Sequence, residues 1–146
     1  MDCNNNEKTN DLMQKLSTCE DENKLSDYVD SIEGKYPKDF CSYMKSILEE
    51  RNMSVADLQR KCGIDRNYIY QIMDGSKNAG RDKIIAMSLG AKMSLAECQR
   101  ALEISKEGIL YPKSRRDSVI IYAFNNGMSV MELNGLLEEY NVLPLQ

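Results

Sequence analysis

Residues 53–75 read MSVADLQRKCGIDRNYIYQIMDG, and their spacing predicts two short helices joined by a glycine turn. Ser54 followed by Asp57 is an N-cap signal. Val55, Leu58 and Cys62 then recur at the spacing that lays one apolar stripe along a helix. That helix ends at Cys62, because Gly63 stands where a helix stop needs a positive φ. Asp65 is placed to cap a second helix, whose Ile69 and Ile72 face back towards Ile64 and Leu58. Arg66, Asn67, Tyr68 and Gln71 remain for solvent or a partner.

Working outward, Phe40, Tyr43, Met44, Ile47 and Leu48 repeat the amphipathic pattern and predict a helix ahead of this pair. Behind it, the loop SKNAGRDK (76–83) places Lys77, Arg81 and Lys83 around the start of the next helix, where free backbone N–H groups also favour an anion. The C-terminal half contains an internal repeat. RDKIIAMSLGAKMSLAECQRALE (81–103) aligns without gaps to RDSVIIYAFNNGMSVMELNGLLE (116–138). Each copy predicts a helical hairpin. Ser94 or Ser129 caps its second helix, Glu97 or Glu132 completes a capping box, and Met93 or Met128 staples onto Cys98 or Leu133. Met53, Ser54, Asp57 and Leu58 use the same device a third time. The connector KEGILYPKS (106–114) leads into VIIYAF (119–124), which is apolar on every side. Its place in the repeat and the stop at Asn125, Asn126 and Gly127 argue for a helix, and a helix apolar all round needs cover on every side.

With Leu58, Gly63, Ile64, Ile69, Ile72 and Gly75 in this arrangement, the segment 40–91 resembles the lambda-repressor and Cro-like (XRE) helix-turn-helix domain. The resemblance implies major-groove binding by the second helix of the pair, with its early residues on base edges. Carried over by position, the base-reading residues are Arg66, Asn67 and Gln71; the loop cations Lys77, Arg81 and Lys83 at the next helix start are the candidate phosphate contacts. Three residues depart from the family pattern. Val55 replaces a glutamine that donates to a phosphate, Gln59 replaces a small alanine at the helix crossing, and Asp74 stands where Asn or a base is usual.

Composition places limits on function. The chain of 146 residues has no histidine, which excludes imidazole catalysis and His-bearing zinc sites. No pair of acids stands apart from ordinary solvated helix faces, so neither an enzyme nor a cofactor or metal is expected. Five cysteines with no CxxC pair, of which at least Cys41, Cys62 and Cys98 fit apolar helical faces, suggest reduced core thiols. There is no signal-peptide pattern and no long apolar run, so a cytoplasmic, non-membrane protein is expected. The net charge of −4 is uneven: residues 1–37 carry nine acids and four bases, whereas residues 60–83 carry six bases and three acids. A locally positive docking face therefore coexists with an acidic arm.

The predicted architecture is all-α, a lambda-repressor-like helix-turn-helix bundle with an added C-terminal helical hairpin and an acidic N-terminal helical arm. Residues 1–37 form the tail and arm, 38–105 the helix-turn-helix domain and 106–146 the hairpin. Within the arm, residues 1–9 read as a tail without structure; Leu12, Met13 and Leu16 predict one helix, and Leu25, Tyr28, Val29 and Ile32 predict another. The function implied is a sequence-specific DNA-binding transcriptional regulator without cofactor. The alternative is a protein-interaction module or antitoxin-like adaptor on the same scaffold, because Tyr68 and Tyr70 suit a protein interface. A homodimer through residues 114–142 would cover the apolar helix, with Ile121 and Phe124 as its interface.

Overall fold

The computed structural model describes residues 9–146, and every element in that span is a helix. In order they are α1 (Thr9–Ser17), α2 (Glu22–Ile32), α3 (Phe40–Glu50), α4 (Val55–Cys62), α5 (Arg66–Met73), α6 (Arg81–Gly90), α7 (Leu95–Ile104), α8 (Arg115–Asn125) and α9 (Val130–Glu139). The tail expected over residues 1–9 lies outside the described residues except for Thr9, which opens α1.

The helix boundaries follow from local chemistry. Ser54, Ser94 and Ser129 each accept a hydrogen bond from the backbone N–H three residues on, and Asp57, Glu97 and Glu132 accept in return from the serine N–H, so α4, α7 and α9 all begin with a capping box. Each cap follows a turn of one kind. Asn52, Lys92 and Gly127 lie in the left-handed region at φ 51°, 57° and 62°. The next N–H, from Met53, Met93 or Met128, closes back onto the carbonyl of Leu48, Ser88 or Ala123. This is a Schellman closure. One local solution thus joins α3 to α4, α6 to α7 and α8 to α9.

A single apolar cluster runs from Phe40 in α3 to Leu137 in α9. Its centre is α6, whose residues Ile84 to Gly90 are all buried. Helix α4 crosses α6 at Gly90, where an added Cβ would stand 3.1 Å from the Cβ of Cys62 and 3.2 Å from its backbone nitrogen. Among the described residues, α1 and α2 contribute no side chain to the cluster.

The two repeat hairpins, α6–α7 and α8–α9, pack crosswise, α6 against α9 and α7 against α8. Each repeat opens with Arg-Asp, and the four residues pair reciprocally. Arg81 donates to both oxygens of Asp117 at 3.0 and 2.8 Å. Arg116 donates to both oxygens of Asp82 at 3.0 and 2.8 Å. Such an exchange is what an approximate two-fold relation between the repeats produces. The C-terminal residues complete the strap: Arg116 donates to the carbonyls of Leu143 and Pro144, and the N–H of Gln146 reaches Asp82.

VIIYAF is helical, but it is not covered on every side. Val119, Ile120 and Ala123 are buried, Ile121 and Phe124 are half-buried, and Tyr122 is exposed. Of the cysteines placed on apolar faces, Cys62 and Cys98 are buried. Cys41 is only half-buried and donates to the Asp39 carboxylate at 3.2 Å. Burial pushes the Cys98 thiol up to about 12, so it stays protonated.

Candidate nucleic-acid interface

Helix α5 is held by its apolar side. Ile69, Ile72 and Met73 are buried in the core, and Asp65 caps the first turn by accepting from the Tyr68 N–H at 3.2 Å. The opposite side is presented outward. Arg66 and Asn67 are exposed on the first turn, Gln71 is half-buried one turn later, and Tyr70 is 41% exposed. The Arg66 guanidinium lies over the Tyr70 ring, 5.8 Å from its centroid.

Tyr68 has a different environment. Its half-buried ring carries the Lys77 ammonium at 5.2 Å and the Lys83 ammonium at 5.7 Å from its centroid. Both distances fall within the range of a cation–π contact. One lysine comes from the loop after α5 and the other from the first turn of α6. Helix α6 has Gly80 as its N-cap and no side chain capping it, so its first N–H groups are left without a side-chain acceptor. Tyr68, Lys77, Lys83 and the start of α6 therefore adjoin the exposed first turn of α5.

Arg81, expected beside Lys77 and Lys83, points elsewhere. Besides Asp117, it donates to the carbonyls of Gly108 and Ile109 at 2.8 and 3.0 Å. Hydrogen bonding to Asp117 strengthens its hold on the proton against the effect of burial. Its fork is thus engaged within the fold, fastening α6 to the connector and α8. The shared Arg-Asp opening of the two repeats was the available sequence signal. No comparable signal marked Tyr68 as a seat for lysines nine and fifteen residues away.

The three departures also have places. Val55 is half-buried and packs against the core. Gln59, at the expected close approach of the helix pair, turns sideways and donates to the Ile64 carbonyl at 3.0 Å in the turn between α4 and α5. Asp74 accepts from the Ser76 N–H at 2.8 Å and from the Ser76 hydroxyl, and these bonds hold its carboxyl below the usual range. It closes the turn after α5.

A family model described as Helix-turn-helix matches residues 44–98. This segment is a helix-turn-helix domain of the lambda-repressor (XRE) type. No curated protein and no solved structure matches the chain. The matched helix-turn-helix segment begins inside α3, contains α4, α5 and α6, and ends inside α7. Its helix pair is α4 and α5, joined through Gly63 at φ 72°. Helix-turn-helix domains of this type are commonly DNA-binding. The acidic arm and the α8–α9 hairpin lie outside the match. No helix among the described residues is long and apolar enough to cross a membrane.

Proposed function

We propose that the protein is a sequence-specific DNA-binding transcriptional regulator. In this reading Arg66, Asn67 and Gln71 read base edges in the major groove, while Lys77 and Lys83 hold phosphates at the start of α6. Arginine pairs with guanine and Asn or Gln with adenine, and ammonium groups fix register on the backbone. The supporting observation is the exposed first turn of α5 beside the two lysines gathered on Tyr68. Arg81 enters this reading as a positioning residue: its pairing with Asp117 holds the first turn of α6, from which Lys83 projects.

The test is binding to the DNA upstream of the protein's own coding region, followed across a salt series. With three to six phosphate contacts per subunit, the log–log slope should be about −3 to −5. Replacing Asn67 and Gln71 by Ala should cost about 1–3 kcal/mol per residue on the specific site and change random-DNA binding little. Full retention of operator preference in that double variant removes base readout by α5.

A second reading, a protein-interaction module or antitoxin-like adaptor, is favoured by the exposed ring of Tyr70 and the loss of the family's phosphate donor at Val55. It predicts that Tyr68→Ala and Tyr70→Ala abolish partner capture while the Asn67 and Gln71 changes are silent. For either reading the proposed assembly is a homodimer through residues 114–142. It would cover the outer side of α8, where Ile121 and Phe124 are half-buried and Tyr122 is 54% exposed.

A further inference from the structure

Base and phosphate contacts leave a cavity of about 360 Å³ without a role. Three segments far apart in sequence enclose it: the start of α3, the loop after α5 and the end of α7. Its apolar wall is made by Phe40 and Ile72, both buried, and by half-buried Ile104. Small-molecule sites run from about 300 to 1,000 Å³, so this one takes a ligand at the small end of that range. Helix α7 ends here by the left-handed closure already seen between the hairpin helices: Lys106 has φ 59°, and the Glu107 N–H meets the Leu102 carbonyl at 2.9 Å. That closure fixes two neighbours of opposite charge, Lys106 and Glu107, in the lining.

The charges of the lining balance, but they are not equally engaged. Asp39 is committed to the fold. It accepts from the Ser42 N–H at 2.8 Å and from the Cys41 thiol at 3.2 Å, and these bonds hold its carboxyl below the usual range. Glu107 is half-buried, and among the described residues its carboxylate has neither an ion pair nor a hydrogen bond. It stands at the C-terminal end of α7, where the helix dipole also favours a cation. A partly buried carboxylate without a partner is a seat for an ammonium group. The cations are placed to receive an anion. Lys106 is exposed and has no ion pair among the described residues, and Lys77 lines the same cavity with its ammonium otherwise set only on the Tyr68 ring.

We propose that this cavity binds a small zwitterion, an amino acid with a large apolar side chain. Its ammonium pairs with Glu107, its carboxylate lies between Lys106 and Lys77, and its side chain covers Phe40, Ile72 and Ile104. The site stands without the DNA-binding reading; its consequence for DNA rests on that reading. A carboxylate that holds Lys77 competes with DNA phosphate for the same ammonium. Amino acid and DNA then weaken each other's binding by one common factor.

The test is calorimetric titration of the full chain with L-leucine, L-methionine and L-phenylalanine at millimolar concentration, without DNA. At least one should bind. The decarboxylated amine and the deaminated acid made from that amino acid should each bind about tenfold more weakly, and so should the amino acid itself to Glu107→Gln. Ile104→Trp fills the cavity and should abolish binding. Because Glu107 has no partner to lose, Glu107→Gln should melt with the parent chain, so that variant decides even where Ile104→Trp does not fold. No binding by any of the three, binding left intact in Glu107→Gln, or an amine that binds as tightly as the amino acid overturns the proposal. On a short mixed-sequence DNA duplex, saturating amino acid should lower the log–log salt slope by about 1, as loss of the Lys77 contact would. An unchanged slope overturns the competition for Lys77. If the chain binds no DNA at all, the regulator reading falls, while the titration still decides the site.

Discussion

Asp117 is buried and accepts three hydrogen bonds, two from Arg81 and one from the Tyr111 N–H at 3.0 Å. Asp117→Ala would leave the Arg81 guanidinium partly buried without its counter-charge, a loss of about 3–5 kcal/mol that urea unfolding would read. Lys77→Ala should behave in the opposite way. Stability should stay within about 0.5 kcal/mol, and the salt slope of DNA binding should fall by about 1. Comparing the two variants separates a residue that builds the fold from one that meets phosphate. From sequence alone Arg81 joined Lys77 because all three cations crowd one loop; which of them has a carboxylate within reach is a question of tertiary distance. Asp82 links the same cluster to pH. Burial would raise its carboxyl, but bonds from Arg116 and the Gln146 N–H outweigh that and hold it below the usual range. Its folded value is therefore the lower one. The stability it contributes is complete above the unfolded value of about 3.9 and is lost as pH falls through the folded value. Asp82→Asn should flatten the acid limb of a stability–pH curve and remove part of the stability near neutral pH. An unchanged acid limb would show that the Arg116 pair does not differ between folded and unfolded chains.

Among the elements, capping carried most of what could be read beforehand. Ser54, Ser94 and Ser129 announce helix starts because an N-cap is a contact within four residues, and Gly63 announces a stop because a positive φ is a property of one residue. The crossing of α4 and α6 was not legible in the same way. Gly90 reads as an ordinary helix-ending glycine, yet the structure puts Cys62 and Leu58 against it at 3.1 to 3.2 Å. Its counterpart in the second repeat is Asn125, which is exposed because nothing like α4 lies on α8. This contrast sets a prediction. In a free helix Gly→Ala gains about 1 kcal/mol, but at Gly90 the new methyl meets the backbone of Cys62, which cannot turn aside. Gly90→Ala should therefore destabilise by about 1–3 kcal/mol, read from the shift of the denaturation midpoint. A gain in stability would mean that α4 slides on α6 more easily than its contacts imply.

At the scale of the whole molecule, one hairpin is used twice and the copies hold each other through Arg81–Asp117 and Arg116–Asp82. The repeat was visible in the sequence as matched residues; the reciprocal pairing was not, because an Arg-Asp dipeptide gives no sign of which partner each charge will take. The same internal relation shows what differs between the halves. Helix α6 is buried from Ile84 to Gly90 under the helix-turn-helix, whereas the equivalent stretch of α8 leaves Tyr122 and Asn125 exposed and Ile121 and Phe124 half-covered. That asymmetry gives the homodimer proposal a specific test. Tyr122 is the residue to change, since its ring is exposed in the single chain and a charge there does not disturb the core. Tyr122→Asp should keep its helicity by circular dichroism and sediment as a monomer where the parent chain sediments as a dimer, because a carboxylate buried at the interface without a partner costs several kcal/mol. Ile121→Asp is the contrasting case: its side chain already packs on the core, so the charge should lower the stability of the single chain itself. If the parent chain is monomeric, or if Tyr122→Asp remains a stable dimer, the outer side of α8 is not the interface, and any second DNA half-site must be read by another arrangement of two chains.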